Sequence, residues 1–204
     1  MLRAELHVHT NYSDGKDNPK KVIEAAIEKK IDVLAITDHD CVQASLEAEE
    51  IVEEEKLPIK IITATEISTS NGHLLAYGIR KDLDTGLDLK EACEEVQKLG
   101  GIAVIAHPFD FLRHGVVKAK NFKYADGIEV FNAKSFFNPI AKIYAEKYQK
   151  PGIAGSDAHS ASSVGIAVCY LEKFNLNSIL NAKIPKINFT LKVRCLLLRL
   201  CLKL

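Results

Sequence analysis

Short apolar segments alternate with amphipathic segments along this chain, and this alternation limits the possible folds more than any other feature. The amphipathic segments carry apolar residues at helical spacing, and two of them begin at Pro19 and Pro139, since proline is favoured in the first helical turn. Asn71 and Gly72 form a turn dipeptide between two apolar segments, which indicates a hairpin. The alternation predicts an α/β protein with a largely parallel sheet, either a barrel or a doubly wound sheet. No linker or low-complexity tract interrupts it, so we expect a single domain.

Composition excludes few classes of function. The chain has 204 residues, of which 47% are hydrophobic, and its 27 basic and 27 acidic residues give a formal net charge of zero. This balance gives no sign of a nucleic-acid-binding surface. The 5 cysteines are an odd number without a Cys-x-x-Cys pair, so we expect reduced thiols and a cytoplasmic protein. The first residues contain no apolar stretch typical of a signal peptide.

Residues 186–204 form a basic, apolar tail, and no acidic residue follows Glu172 in the sequence. The apolar residues of the tail fit the spacing of a strand and also that of a helix, so periodicity leaves both open. The tail is too short and too often interrupted by charge to span a membrane. We expect it to pack on the preceding domain, residues 1–185, with a dimer contact or binding to an acidic surface as the alternatives.

Residue types that bind metals lie at the ends of the predicted strands. His7 and His9 are two residues apart on the first strand, so their side chains point to the same face, and Asp157 and His159 repeat this spacing. In α/β proteins the C-terminal ends of the strands are where active sites assemble. A single histidine of this kind is more often a core residue than a ligand. The joint pattern of histidines and carboxylates without cysteine favours an open, catalytic metal site.

The number of candidate ligands indicates more than one ion. A tetrahedral ion takes about four ligands, and more candidates than that lie at the strand ends. We therefore expect two or three divalent ions per chain, zinc, iron or manganese, with Glu66 as a bridging carboxylate. Asp14 lies in a predicted loop and could instead cap the helix that follows it. The candidate ligands are His7, His9, Asp14, His39, Glu66, His73, His107, Asp157 and His159.

Six segments along the chain carry most of the candidate ligands: ELHVHTNYSDG, LAITDHD, ATEIS, GHLLAYGI, IAHPF and AGSDAH. In this order they resemble the motifs of the PHP (polymerase and histidinol phosphatase) superfamily of metal-dependent phosphoesterases. The resemblance runs from about Glu5 to Gly165 and is strongest for small stand-alone members, including those that hydrolyse nucleoside 3′,5′-bisphosphates. It implies a distorted (β/α)7 barrel of the TIM type, formed by residues 1–185 as one domain, with a trinuclear site on its C-terminal face.

The resemblance also implies how the ions share their ligands. Every motif position carries a residue that is able to coordinate a metal. One set of ligands would hold each ion, and Glu66 would belong to two sets. The sets are His7, His9, Glu66 and Asp157; Glu66 with His73 and His107; and Asp14, His39 and His159.

Residues near the motifs are candidates for substrate contact and catalysis. Arg113, in a predicted loop over the site, could grip a second phosphate with its guanidinium, or it could be a surface arginine. His114 and Asn132 are further candidates for substrate contact. We expect Asp157, His159 and Arg113 to take part in catalysis.

Two more carboxylates and the general acid are less well defined by the sequence. Asp38 precedes a candidate ligand, and it either orients a ligand histidine or is a turn carboxylate. Glu129 lies inside a predicted strand, where contact with a substrate is less expected. A general acid for the leaving group is not identifiable, although His159 and His114 are candidates besides a water molecule.

The leading functional hypothesis is hydrolysis of a small phosphomonoester, such as a nucleoside 3′,5′-bisphosphate, by metal-activated water at a multinuclear site. The family also permits phosphodiester cleavage of short oligonucleotides, but zero net charge and the absence of tryptophan give little sign of a long binding groove. A metal-binding regulatory module without turnover is the third hypothesis. We expect a small phosphate ester as the partner, no stable nucleic-acid complex and no membrane, and the oligomeric state is open.

Overall fold

The computed structural model describes residues 1–185 of the chain. The predicted C-terminal tail, residues 186–204, lies outside the described residues. The strands are β1 Leu2–Glu5, β2 Val33–Leu34, β3 Lys60–Ile61, β4 Ala64–Thr69, β5 Gly72–Tyr77, β6 Ile102–Ile105, β7 Gly127–Asn132, β8 Gly152–Gly155 and β9 Cys169–Leu171. The α-helices are α1 Pro19–Glu28, α2 Gln43–Glu54, α3 Leu89–Lys98 and α4 Asn138–Lys147, and 3-10 helices span Phe111–Arg113, Ala119–Lys123, Ala161–Ser163 and Leu176–Asn181.

The strands of residues 1–185 form two open, mixed sheets, so the predictions of a (β/α)7 barrel and of a largely parallel sheet are wrong. One sheet has the strand order β3-β2-β1-β9 and the other β4-β5-β6-β7-β8. The pairs β1 with β9, β4 with β5 and β5 with β6 are antiparallel, and the remaining pairs are parallel. Two isolated bridges, Val8 with Ala158 and His39 with Glu66, connect the sheets without a continuous ladder.

Two local features explain why the backbone ladder does not continue from one sheet to the other. The chain passes from one sheet to the other between β3 and β4. Ile62 N–H still donates to Leu34 O beside the first sheet (2.9 Å), whereas Thr63 O already accepts a hydrogen bond from Gly78 N–H beside the second (2.7 Å). Between β1 and β8 the buried carboxylate of Glu5 accepts the backbone N–H of Ser156 at 3.0 Å. This side chain satisfies the donor of Ser156 where β9, and not β8, pairs with β1, and the two sheets meet only further along, at the bridge between Val8 and Ala158.

The hydrophobic core lies in three layers. The central layer fills the space between the two sheets and includes the fully buried Leu6, Leu75 and Val104. Outside it, the apolar faces of α1 and α2 pack on the first sheet, and those of α3 and α4 pack on the second. With helices on the outer faces, polar side chains gather at one edge of the sheets, on strand residues there and in the loops that follow the strands.

The predicted helices and hairpin are confirmed. The first helix, α1, begins at Pro19, and Asn18 is its N-cap. β4 and β5 form an antiparallel hairpin around Asn71 and Gly72. Gly72 has a φ of 130°, and a Cβ added there would lie 2.6 Å from Val116 N, so only glycine fits this turn.

Two further predictions concern thiols and membranes. Cys41, Cys93 and Cys169 are free cysteines in the described part of the chain. Among residues 1–185, no helix has both the length and the apolar character that crossing a bilayer requires. The cytoplasmic location stays a prediction.

Candidate metal centre

The residues predicted as metal ligands converge on one site at an edge of both sheets. Each belongs to at least one group of three residues whose ligand atoms lie within 4.8 Å of one another. Some of them are buried and the others are partly or largely exposed, and we distinguish two groups on this basis. The inner group is His7, His9, Glu66, His107 and Asp157, and the outer group is Asp14, His39, His73 and His159.

Local structure explains why these side chains meet. His7 and His9 follow β1 and point the same way, as their spacing predicts, with their Nε2 atoms 3.2 Å apart. His107 and Asp157 follow β6 and β8 with φ angles of 26° and 53°, a left-handed conformation that is uncommon for non-glycine residues. His73 lies near the start of β5 and reaches the same edge because β5 runs antiparallel to β4.

Glu66 lies at the centre of the site and presents its two carboxylate oxygens to different histidines. Its Oε2 lies 3.1 Å from Nε2 of His7 and 3.1 Å from Nε2 of His9. Its Oε1 lies 3.0 Å from Nε2 of His107 and 3.2 Å from Nδ1 of His73. A carboxylate in this position can bridge two ions.

Asp14 connects the outer histidines. Its Oδ2 lies 2.9 Å from Nε2 of His159 and 3.9 Å from Nε2 of His39, while its Oδ1 lies 3.5 Å from Nδ1 of His9. The side chain is 52% exposed, so the site opens to solvent here. The alternative role, capping of α1, belongs to Asn18 instead.

Several buried atoms of the site make no well-aligned hydrogen bond among the described residues, although Nδ1 of His73 lies 3.2 Å from Oε1 of Glu66. They are Nδ1 of His9, His39, His73 and His107 and Oδ1 of Asp157. An unsatisfied buried polar group costs about 1–3 kcal/mol, so folded proteins leave few of them. Imidazole nitrogens and carboxylate oxygens are the ligands that divalent transition ions take. The residues present therefore fit such ions.

Glu129 fixes the inner group from inside the protein. Its Oε1 lies 2.9 Å from Nδ1 of His7, and its Oε2 accepts hydrogen bonds from the backbone N–H of His107 (2.7 Å) and from Nδ2 of Asn132 (3.0 Å). A carboxylate at Nδ1 directs Nε2 of the same ring toward Glu66. Sequence analysis gave Glu129 little weight, although a glutamate inside the apolar segment GIEVFN was a usable signal.

The charges of the inner group hold one another in their ionised forms. Burial alone would lower the pKa of His7, but the carboxylates of Glu129, Asp157 and Glu66 outweigh burial and hold this pKa well above its ordinary value. Burial alone would raise the pKa values of Glu66 and Asp157, but the charge of His7 contributes most to holding both well below the usual range. Without bound ions, the inner group therefore combines two carboxylates with a protonated imidazole.

Two cations lie at the Asp157 end of the site. Arg113 Nη2 donates to Oδ2 of Asp157, and Nη1 donates to Oδ1 of Asn132 at 3.3 Å. Lys134 Nζ lies 2.6 Å from Nδ1 of His159 and 3.6 Å from Oδ1 of Asp157. The arginine and the lysine are 22% and 31% exposed, whereas the carboxylate between them is 0% exposed. The solvent-facing side of this end is therefore positive, which suits phosphate oxygens.

Sequence analysis did not single out Lys134, whose one signal was its position two residues after β7.

Asn132, a candidate for substrate contact, is buried and already engaged. Its Nδ2 donates to Glu129 and to Asp157, and its Oδ1 accepts from Arg113. Asn132 thus links the inner group to the arginine, and its contact with a substrate stays a prediction.

Asp38 holds a loop rather than a ligand histidine within the described part of the chain. Its carboxylate accepts hydrogen bonds from the N–H and Oγ1 of Thr10, at 2.8 and 2.6 Å, and from Oγ of Ser13 at 2.5 Å. This loop leads to Asp14, so Asp38 shapes the outer side of the site. Of its two predicted roles, the contacts support the turn carboxylate.

A cavity of about 660 Å³ lies beside the outer group, between the β4–β5 hairpin and the loop after β6, and we call it the hairpin cavity. His39 and His73 line it on the side of the site, and His114 lines it from the loop. The ring of His114 lies 5.6 Å from the ring of His73, between centroids. His114 is therefore within reach of any molecule that extends from the site into this cavity.

The fold and the site together define a class of protein. Histidines and carboxylates gathered at one edge of two packed sheets suit a metal-dependent hydrolase, and the cations beside them suit a phosphate ester as its substrate. Comparison with protein families gives the family: the PHP domain model matches residues 5–153, and the PHP-associated model matches residues 136–182. The chain belongs to the PHP family, and the prediction of a metal-dependent phosphoric ester hydrolase is confirmed.

Relatives of the chain differ in what their names describe. An uncharacterized protein of Methanocaldococcus jannaschii is 29% identical over 165 residues, which are 73% of this chain and 95% of that protein. The 3′,5′-nucleoside bisphosphate phosphatase of Chromobacterium violaceum is 34% identical over 191 residues, which are 84% of this chain and 63% of the phosphatase. The 5′-3′ exoribonuclease Rnm of Escherichia coli is 36% identical over 81 residues, which are 39% of this chain and 28% of the nuclease. The chain spans less than two thirds of both named enzymes.

A solved structure supports the fold. A two-domain protein of Bacteroides vulgatus, described as containing a predicted PHP-like metal-dependent phosphoesterase, superposes with a TM-score of 0.72. The match covers 88% of this chain and 61% of that protein at 20% sequence identity. At this identity the likeness shows the fold alone.

Proposed function

We propose that this protein hydrolyses a small phosphomonoester, a nucleotide such as a nucleoside 3′,5′-bisphosphate, with two or three divalent ions held by the inner and outer groups. The observation that carries this proposal is the convergence of the predicted ligands, with unpartnered buried atoms among them, beside two cations. Divalent ions held there would activate water for attack on phosphorus and neutralise charge on the phosphate oxygens. Mn²⁺, Zn²⁺ and Fe²⁺ all accept these ligand types.

The distances support three sets of ligands, with Glu66 in two of them. Its Oε2 faces one pair of histidines and its Oε1 faces another, as a bridging carboxylate requires. Asp157 Oδ1 lies 3.5 Å from Nε2 of His9 and completes the first set. We assign the sets as His7, His9, Glu66 and Asp157; Glu66, His73 and His107; and Asp14, His39 and His159.

The cations at the Asp157 end would orient the phosphate. Arg113 and Lys134 share one buried carboxylate, so neither has a full counter-charge of its own among the described residues. A phosphate at this end would supply the missing negative charge, with the guanidinium in contact with two oxygens. Asp157 and His159 would take part in catalysis by positioning Lys134 for this phosphate, because both side chains contact its ammonium group.

His114 is the better candidate for protonating the leaving alcohol. Both ring nitrogens of His159 are already engaged, Nε2 by Asp14 and Nδ1 by Lys134. His114 lines the hairpin cavity, into which the alcohol part of a substrate would extend. A His114→Gln variant should therefore slow the release of poor leaving groups more than that of p-nitrophenol, because p-nitrophenolate leaves without a proton.

A phosphate-release screen tests the proposed function. The protein is treated with EDTA, dialysed, and assayed with nucleotides, sugar phosphates and histidinol phosphate before and after addition of Mn²⁺ or Zn²⁺. We expect release of phosphate only after metal is restored, and greatest with a nucleoside bisphosphate. Undiminished activity after complete metal removal would contradict the proposal.

Cleavage of short oligonucleotides is the second candidate, since the relative named as an exoribonuclease shares 36% identity over part of the chain. Comparing adenosine 3′,5′-bisphosphate with a short RNA separates the two activities. Faster turnover of the RNA, with release of nucleotides rather than phosphate, would favour the nuclease. Retention of ions without turnover of any phosphate ester would instead favour a regulatory module.

A further inference from the structure

The hairpin cavity has two walls that the fold ties together. One wall is the turn between β4 and β5, and the other is the loop after β6. The backbone N–H of His73 donates to O of His114 at 3.0 Å, which joins the walls directly. Close packing adds to this bond, because a Cβ at Gly72 would lie 2.7 Å from O of His114. The cavity is therefore preformed, as ligand pockets usually are.

An aromatic ring stands at the wall formed by the loop. Phe111 lines the cavity and is 64% exposed, which is high for a phenylalanine. Its ring meets that of Phe137 at 5.9 Å between centroids and at an interplanar angle of 63°, so the edge contact fixes its orientation. Leu112, the next residue, is 78% exposed but does not line the cavity. An oriented, exposed ring beside a phosphate site is suited to stacking on a planar group.

The remaining lining combines polar groups with the apolar side chain of Val117, and its one lysine carries a positive charge. Lys118 contributes an ammonium group, and Ser68 and Ser70 contribute hydroxyl groups. No carboxylate belongs to the described residues that line the cavity. Such a surface favours a ligand with a planar ring, hydroxyl groups and a negative charge.

We propose that the hairpin cavity binds the nucleoside part of a nucleotide substrate, with the base stacked on Phe111 and an anionic group of the same molecule at Lys118. This inference rests on the proposed function and names the part of the substrate that the metal centre does not hold. His39 and His73 line the cavity on the side of the metal centre, so a nucleotide whose phosphate is held by the ions can extend its nucleoside toward the ring of Phe111. Base stacking on an aromatic side chain is strong and tolerates any base, so we expect little discrimination among bases.

Binding of adenosine tests the cavity separately from catalysis. Saturation-transfer NMR with the full chain and adenosine, which has no phosphate, should show transfer to the base protons of the ligand. Phe111→Ala should weaken adenosine binding about tenfold, as expected for the loss of one stacked base. Phe111→Trp should restore it, and the matched control Leu112→Ala should bind like the wild type.

Kinetics extend the test to charge. With adenosine 3′,5′-bisphosphate and glycerol phosphate as substrates, Phe111→Ala should raise the ratio of their KM values about tenfold, because only the first carries a base. Lys118→Met should raise KM for the bisphosphate more than the control Lys120→Met does.

Equal behaviour of Phe111→Ala and Leu112→Ala, or no binding of adenosine to an active enzyme, would overturn the inference while the proposed function stands. Adenosine binding without phosphate release from any ester would reject the function and leave the cavity supported.

Discussion

The inner and outer groups of the candidate metal centre differ in how firmly the fold holds them. Inner side chains are at most 2% exposed, and the buried carboxylate of Glu129 orients His7 among them. Outer side chains range from 13% exposed at His73 to 52% at Asp14. The outer aspartate finds its partners mainly among the other outer residues, with His159 the nearest.

One metal site can therefore combine ligands that the buried core holds in place with ligands that are held only by one another at the surface. The inner group is held by the protein interior. Buried hydrogen bonds, such as that from His107 N–H to Glu129, offset the cost of the unusual backbone angles of His107 and Asp157. The outer group depends on side chains at the solvent boundary. We therefore expect inner substitutions to remove the centre as a whole, and outer substitutions to alter a part of it.

The largest effect is expected from Glu66→Gln. Glutamine offers one oxygen where the carboxylate presents two, so it cannot face both pairs of histidines. Removing the charge also takes away a counter-charge of His7. We expect activity to fall by about 1,000-fold or more, and elemental analysis should show the loss of more than one ion per chain.

The matched control is Glu53→Gln, a change at an exposed glutamate on α2. It should keep wild-type activity and metal content. Normal ion content in the Glu66→Gln protein would show that the bridging carboxylate is not the centre of the site.

Glu129→Gln should have the next largest effect. One of the oxygens of Glu129 contacts His7 Nδ1 and the other accepts from His107 N–H, so an amide group must leave one of these donors unpaired. Loss of a carboxylate that orients a ligand histidine typically costs about 10–100-fold in metal affinity or activity. Metal titration should show the loss while thermal unfolding of the metal-free variant stays cooperative. Unchanged affinity would mean that Glu129 only fills space.

Metal affinity should rise with pH. The folded protein raises the pKa of His7, so protonation of His7 stabilises the metal-free fold fully at pH values below its ordinary pKa. This stabilisation is lost as the pH rises through the raised pKa of the folded protein. A ligand imidazole must be neutral, so an ion displaces this proton. Each proton displaced makes the affinity fall about tenfold per pH unit on acidification. Calorimetry in two buffers of different ionisation enthalpy counts the protons, and equal heats in both would contradict displacement.

The sequence allowed the cluster to be predicted because the relevant spacing is local. Two residues apart on an extended segment means the same face, and this rule brought His7 and His9 together without knowledge of the fold. The residues that support the cluster could not be found this way. Glu129 is 122 positions from His7 in the sequence, so their contact depends on the whole arrangement of strands.

The prediction of a closed barrel was wrong because it, too, depends on contacts between positions far apart in the sequence. The strands and helices themselves follow from periodicity and caps, as α1 with Asn18 shows. How the sheets meet beside β1 depends on contacts between distant parts of the chain, since β9 pairs with β1 and Glu5 hydrogen-bonds to Ser156 151 positions away. A glutamate in a short strand gives no local sign that it will accept a backbone hydrogen bond from another strand.

The smallest effect is expected from Asp14→Asn, and it sharpens the comparison most directly. Asparagine keeps one oxygen that can face His159, and the side chain is half exposed, so the lost charge is largely screened. We expect a three- to fivefold increase in the metal concentration needed for half-maximal activity, about the effect of removing an exposed charge. Elemental analysis should show a loss of at most one ion per chain, with the inner group still loaded. If Asp14→Asn instead abolished activity and emptied the site as Glu66→Gln should, the two groups would form one cooperative unit, because an exposed ligand would then control the buried ones.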